Sequence, residues 1–314
     1  MRVATAVILL AFLMDAGAFG QTFPAGKQGQ RVQAQTGVAA RPESAQRLMK
    51  DVIYNELHDR ERDSFWEYRS HLVTRRKNVL REQIETPEGP VYRVLARGGK
   101  PLAGAQMTEE SARLEGLLHS PEKLAKVEQA HEADEARLGK VMVLLPKAYV
   151  YHFVGARTGD RVVLEFAPNP KFVSSGYMDR ILSGLTGQIV VNQRLKRMIS
   201  MDGRIAQRIN FGFGLLGYVE PGGTFRIHRT QVSAAHWKTD LVAVDVHGRI
   251  LLFSDVSKQE KETRWGFTPV PHDITLAQAG SDLREAASAY VAKAESSGSG
   301  DAGGDALAEN ARER

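Results

Sequence analysis

The chain contains no cysteine. That excludes disulfides, thiol nucleophiles and cysteine metal ligation, and with them a lipid-modified N-terminal cysteine. No apolar run approaches the roughly 20 residues needed for a permanent bilayer span. Catalytic signatures are missing too: there is no HExxH, no G-x-S-x-G elbow and no P-loop. Net charge is only +5 and is spread along the chain, so nucleic acid is not an expected partner. What is present is a globular composition, 42% hydrophobic and 25% charged, sufficient for a large core in 314 residues.

The ends differ from the middle. Arg2, the apolar run Val3–Met14 and the small residues Ala18–Gly20 read as an export signal over 1–20, cut before Gln21. Residues 21–41 are rich in Gln, Gly and Ala and read as a flexible leader; 291–314 read as a disordered tail. The folded unit is expected over 42–290, in the periplasm or secreted.

Within it, Ala45, Leu48, Met49, Val52, Ile53 and Leu57 recur at helical spacing after Pro42, a residue suited to a first helical position. Alternating strands follow over 64–74, 78–86 and 91–96, with a turn at Thr86–Pro90. A helical section, 108–145, has Thr108 as one expected cap and Ser120-Pro121 as another start. Leu124, Val127, Leu138, Val141, Met142 and Leu145 form its second stripe, which turns polar in the middle. Strands are expected near 147–154, 161–167, 184–192, 195–205, 207–216, 223–232, 236–247 and 249–262, with short connections and antiparallel neighbours. A helix after Pro271 closes the unit.

Few residues offer chemistry. Glu128 and His131 make a single Glu-x-x-His, without the second copy a di-iron site requires. Asp245 and His247 share a strand face near Asp240, an arrangement fit for base catalysis or metal ligation but more often a polar surface strand. Gly212, Gly214 and Gly217 have dinucleotide spacing but no following helix. Two basic clusters, Thr74–Lys77 and Arg194–Met198, stand at expected hairpin turns; solvated tips explain them, or contact with anionic headgroups or a protein.

The stretch Phe211–Ile227 alternates rings with glycines. Phe211, Phe213 and Leu215 point one way, and Phe225 and Ile227 repeat that side after Gly222-Gly223. Glycines let a sheet bend. Ile189, Val191, Trp237 and Leu241 extend the expected apolar face. It either accepts a ligand or is an ordinary core filled by the helices.

The order of leader, amphipathic helix, meander, helical interruption and second meander resembles the LolA/LolB-like periplasmic lipoprotein carriers. Gly184–Ile205 is similar to that family's recurring strand pair, and Gly222–Phe253 and Phe267–Ile274 have the character of exported bacterial proteins of this architecture. The resemblance implies an α+β, mainly β fold: a curved antiparallel sheet, an open half-barrel, with helices covering its concave face. It implies a non-enzymatic carrier with an apolar cavity for acyl chains of a lipid or acylated protein, no cofactor and no metal. The alternatives are an envelope interaction protein with a self-filled core, or a hydrolase using Asp245 and His247.

Overall fold

The computed structural model describes residues 43–58, 64–174, 176–211, 217–250 and 254–298. The expected export signal and leader lie outside them, as do residues 299–314 of the tail.

Helix α1 (Ala45–Leu57) buries Ala45, Leu48, Met49, Val52 and Ile53, the face its spacing indicates. Ser44 begins it: its Oγ accepts from the Arg47 N–H at 3.2 Å. The meander β1 (Phe65–Thr74), β2 (Asn78–Ile84), β3 (Val91–Arg97) and the short β4 (Lys100–Pro101) follows. Helix α2 (Ala105–Leu118) starts after Gly104 rather than at Thr108, which lies inside its first turn. Ser120 caps α3 (Pro121–Ala148) with Pro121 leading it, as expected. This helix runs past residue 145, with Pro146 in its last turn, so β5 begins only at Tyr149 (Tyr149–Val154).

The second meander is β6 (Arg161–Pro168), a helix α4 (Tyr177–Leu182) that the pattern did not indicate, β7 (Leu185–Asn192), β8 (Arg197–Ile205), β9 (Ile209–Phe211), β10 (Gly217–Val219), β11 (Thr224–Gln231), β12 (Trp237–Ile250) and β13 (Ser254–Val270). The expected single strand 207–216 is instead β9, which pairs with β10 (Phe211 opposite Gly217). Strand β10 pairs with β12, and β11 pairs with β8 and β12, so the expected pairing across Gly222-Gly223 does not form. Helix α5 (Leu276–Gly298) runs beyond residue 290, so residues 291–298 are helical rather than tail. The reciprocal bonds between Thr275 and Gln278 (2.9 and 3.2 Å) start it as a capping box.

All thirteen strands form one antiparallel sheet, along β4-β3-β2-β1-β13-β12-β11-β8-β7-β6-β5, with β9 and β10 off this path. It is not closed into a barrel, and the class is α+β, mainly β. The first long strand lies beside the last, in the middle of the sheet. One cross-strand row (Leu164, Ile189, Met201, Ile227, Val242) marks the face that α1, α4 and the C-terminal part of α3 cover. We call it the inner face.

The other helices pack on the opposite face, over β1–β3. There Ile84 and Val91 meet Leu114 and Leu117 of α2, Leu124 of α3 and Leu283 of α5. Helix α3 thus joins both cores, with Leu124 in one and Val141, Met142 and Leu145 in the other. Its polar middle runs between them.

Candidate functional site on the inner face

The inner face bends where side chains are missing. Gly187 stands opposite Gly203, and Gly203 opposite Phe225. A Cβ on Gly187 would overlap the Asp202 carbonyl, and one on Gly203 would overlap the Phe225 ring. The strands therefore approach closely here, with the Phe166 and Phe225 rings flanking the two glycines. Gly248 repeats the device: a Cβ would lie 2.5 Å from the Tyr218 carbonyl oxygen.

Helix α1 lies on this curved face. Leu48, Met49, Val52 and Ile53 share a core with Val141, Met142 and Leu145 of α3 and with Met198 and Met201 of β8; Met178 of α4 packs against it. Five of the eight methionines therefore gather at one helix–sheet layer. Methionine is unbranched and polarisable, so such a layer repacks at low cost. The Tyr149 hydroxyl lies inside with no hydrogen-bond partner among the described residues. Burial pushes that phenol well above its usual pKa, so it stays neutral.

Polar clamps hold α1 at its rim. Gln46 donates to the carbonyls of Pro146 (2.7 Å) and Tyr149 (3.2 Å). Asn55 donates to Lys196 O at 3.2 Å, and Glu43 pairs with Lys196. Glu56 accepts from the Met198 N–H at 3.0 Å and pairs with Arg197 and the buried Arg229. Desolvation lowers the Arg229 pKa to about 10, which leaves it cationic at neutral pH.

Beyond α1 the same face turns polar, which the sequence did not indicate. Arg264 donates to Glu262 at 2.7 Å, Glu262 accepts from Arg81 at 2.8 Å, and Arg81 donates to Ser70 at 3.1 Å. Gln83 donates to the Tyr68 hydroxyl at 2.7 Å. Arg264 and Glu262 are almost wholly buried. Their pairing raises the Arg264 pKa against the opposing effect of burial. Strand alternation alone does not reveal which charges will be covered.

Of the apolar residues singled out in the sequence, Ile189, Val191, Phe211, Phe225 and Ile227 come together in the core under α1 and α3. Phe211 also meets the Tyr177 ring of α4 at 5.5 Å. Phe213 and Leu215 lie outside the described residues. Trp237 is buried, and its carbonyl accepts from Arg229 at 2.9 Å. Leu241 is half-buried on the opposite face, in a shallow groove of about 930 Å³ shared with Gln188, Arg226 and Asp245. This corrects its expected place: Arg229 pairs with Thr239 and His228 with Leu241, which skips Asp240 and turns Leu241 outward.

The possible catalytic pair is real but exposed. His247 Nε2 lies 3.2 Å from Asp245 Oδ1, and its Nδ1 lies 3.1 Å from Ser257 Oγ, with His247 and Asp245 about half exposed. Ser257 sits opposite His247 in the β12–β13 ladder. Backbone amides bonded in that ladder are not free to stabilise an oxyanion. His131 bonds Glu135 at 2.9 Å on α3, not Glu128. Among the described residues no group of three or more His, Cys, Asp or Glu side chains is arranged to hold a metal ion, and no helix is long and apolar enough to cross a membrane.

Compared with family models, curated proteins and solved structures, the chain matches none.

Proposed function

We propose that the protein is an exported, non-enzymatic binding protein that takes an acyl chain of a lipid or lipoprotein between the inner face and its covering helices. The described conformation is then the closed one, in which α1 occupies the ligand's place. The observation that carries this reading is the methionine-rich layer joining α1 and α3 to a curved apolar face.

The magnitudes balance. Exposing Leu48, Met49, Val52 and Ile53 costs about 6–12 kcal/mol, at roughly 1.5–3 kcal/mol for each large apolar side chain. An acyl chain of about 16 carbons returns roughly 0.8 kcal/mol per buried CH₂, a sum of similar size. In its apolar part, exchange of helix for ligand is therefore near neutral. An ester or carboxyl group at depth would also give the Tyr149 hydroxyl its missing partner.

A second reading rests on the complete burial of Ile189, Val191 and Phe211: the core is permanently self-filled, and the protein binds an envelope partner through its outside. Because the chain lacks cysteine, one tether distinguishes the two. Glu43→Cys with Lys196→Cys, bridged by a short bismaleimide, ties the residue just before the Ser44 cap of α1 to the β7–β8 turn at a pair already in contact. The carrier reading expects native mass spectrometry to find acyl-chain adducts on the untethered protein, and the tether to abolish their uptake. No adduct after incubation with lipid, or equal uptake with the tether closed, would reject it.

A further inference from the structure

Helix α1 ends its buried stripe on a charge. Leu48, Met49, Val52 and Ile53 are buried on the inner face, and Glu56, one turn further along the same stripe, has a buried side chain too. Its two carboxylate oxygens are met from the sheet. Oε1 accepts from the Met198 N–H of β8 at 3.0 Å. Oε2 pairs with the Arg229 guanidinium of β11 and lies 3.6 Å from the Arg197 guanidinium of β8. Arg229 is oriented independently of α1, because it also donates to the Trp237 carbonyl at 2.9 Å. Opposite it on β12 stands Thr239, a buried residue whose hydroxyl has no hydrogen-bond partner among the described residues. The donors therefore belong to the sheet, and only the acceptor rides on the helix.

Two ion pairs hold this helix, and they differ in what separation costs. The side chains of Glu43 and Lys196 are each 27% exposed, so water replaces the lost partner when they part. Those of Glu56 and Arg229 are 4% and 2% exposed. Withdrawing one member of a buried pair leaves the other ion without its carboxylate in a medium of low dielectric, which is strongly unfavourable. Any hydrocarbon chain can stand in for the apolar stripe of α1. Under a bound chain, only another anion can stand in for Glu56.

We propose that the ligand of the inner face is an anionic amphiphile, a long chain ending in a carboxylate or phosphate whose oxygens take the place of the Glu56 carboxylate on Arg229, Arg197 and the Met198 N–H. Helix α1 is then an internal copy of that ligand, an apolar stripe with charged oxygens at one end. The Thr239 hydroxyl is a further donor for the incoming group. The inference rests on the carrier reading above and narrows it: an uncharged glyceride supplies the chain but not the charge.

The test compares ligands of one chain and different heads: palmitate, palmitoyl lysophosphatidate and the uncharged monopalmitoylglycerol. Each is titrated into the full chain at pH 8, below its micelle concentration, and read by native mass spectrometry and melting temperature. The parent is expected to prefer the two anions over the glyceride, and the tighter of the two identifies the headgroup. Glu56→Gln removes the internal competitor. It should melt below the parent when empty and be restored by palmitate but not by monopalmitoylglycerol. It should also bind palmitate about 10-fold more tightly than the parent does, the worth of one hydrogen bond to a charged group. Glu56→Gln combined with Arg229→Met removes both charges, which a fold tolerates better than the loss of one, and should abolish the preference. Equal uptake of charged and uncharged ligands by the parent, no gain for palmitate in Glu56→Gln, or a preference surviving the double change overturns the proposal and leaves the carrier reading standing. Uptake of none of the three by any form overturns both.

Discussion

Gly187 and Gly203 carry the curvature of the inner face through what they lack. Their strands approach so closely that the space of one Cβ is taken by a carbonyl and that of the other by a ring. Gly203→Ala must displace the buried Phe225, and overpacking of this kind costs about 1–3 kcal/mol. Urea denaturation should show that loss, whereas Gly222→Ala, a turn glycine with φ of +90° and open space around it, should act only through backbone strain. Glu67 is a different case. Burial, then the neighbouring Glu82 and Asp282, raise its pKa above the usual carboxylate value, with Arg69 opposing. A folded-state pKa above the unfolded one means that the charged form destabilises the fold. That cost is present above the folded pKa and disappears as pH falls below the unfolded value. Glu67→Gln should therefore raise the melting temperature at pH 8, and the gain should vanish near pH 4. A gain that grew on acidification would contradict the sign.

At the scale of elements, helix α2 protects an edge. Glu110 accepts from the Val94 N–H at 2.9 Å, and Arg113 donates to the Tyr92 carbonyl at 2.6 Å. Side chains thus satisfy the outer groups of β3 that the two-residue β4 does not reach, and an unpaired edge that could template aggregation is blunted. Glu110→Ala leaves a buried donor without its acceptor and should cost about 1–3 kcal/mol. It should also increase self-association on size-exclusion chromatography; a destabilised but strictly monomeric variant would show that the edge is covered by other means. Elements with local signals were legible. The α1 stripe and the Ser120-Pro121 start depend on neighbours three or four residues away. Helix α4 was not legible: six residues carry too little periodicity, and its burial of Ile181 and Leu182 depends on the core beneath.

For the whole molecule, both cores share one sheet and one helix, α3. Opening either exposes strands or a helix that the other needs, so unfolding should be a single transition. Trp66, Trp237 and Trp265 lie on β1, β12 and β13, three neighbouring strands in the middle of the strand order. Their fluorescence should change at the same denaturant concentration as the far-ultraviolet circular dichroism. Two separated midpoints would mean that the cores are independent units.

By itself the sequence determined the class of fold, most of the strands and the apolar character of Ile189, Val191, Phe225 and Ile227, because alternation and turn chemistry are read over a few residues. Tertiary structure alone decided three things. The bulge at Asp240 sent Leu241 to the far face, since one extra residue reverses every side chain beyond it. The pairing of β1 with β13 brought Tyr68 and Arg81 to Arg264 and Glu262 across most of the chain. That pairing, with the adjacent turns, also left the Thr74–Lys77 cations exposed while α1 and the β5–β6 turn neutralised Arg194–Met198. Whether a charge is buried, paired or free depends on which strands become neighbours, and Arg81 and Glu262, brought together by the β1–β13 pairing, stand 181 positions apart in the chain.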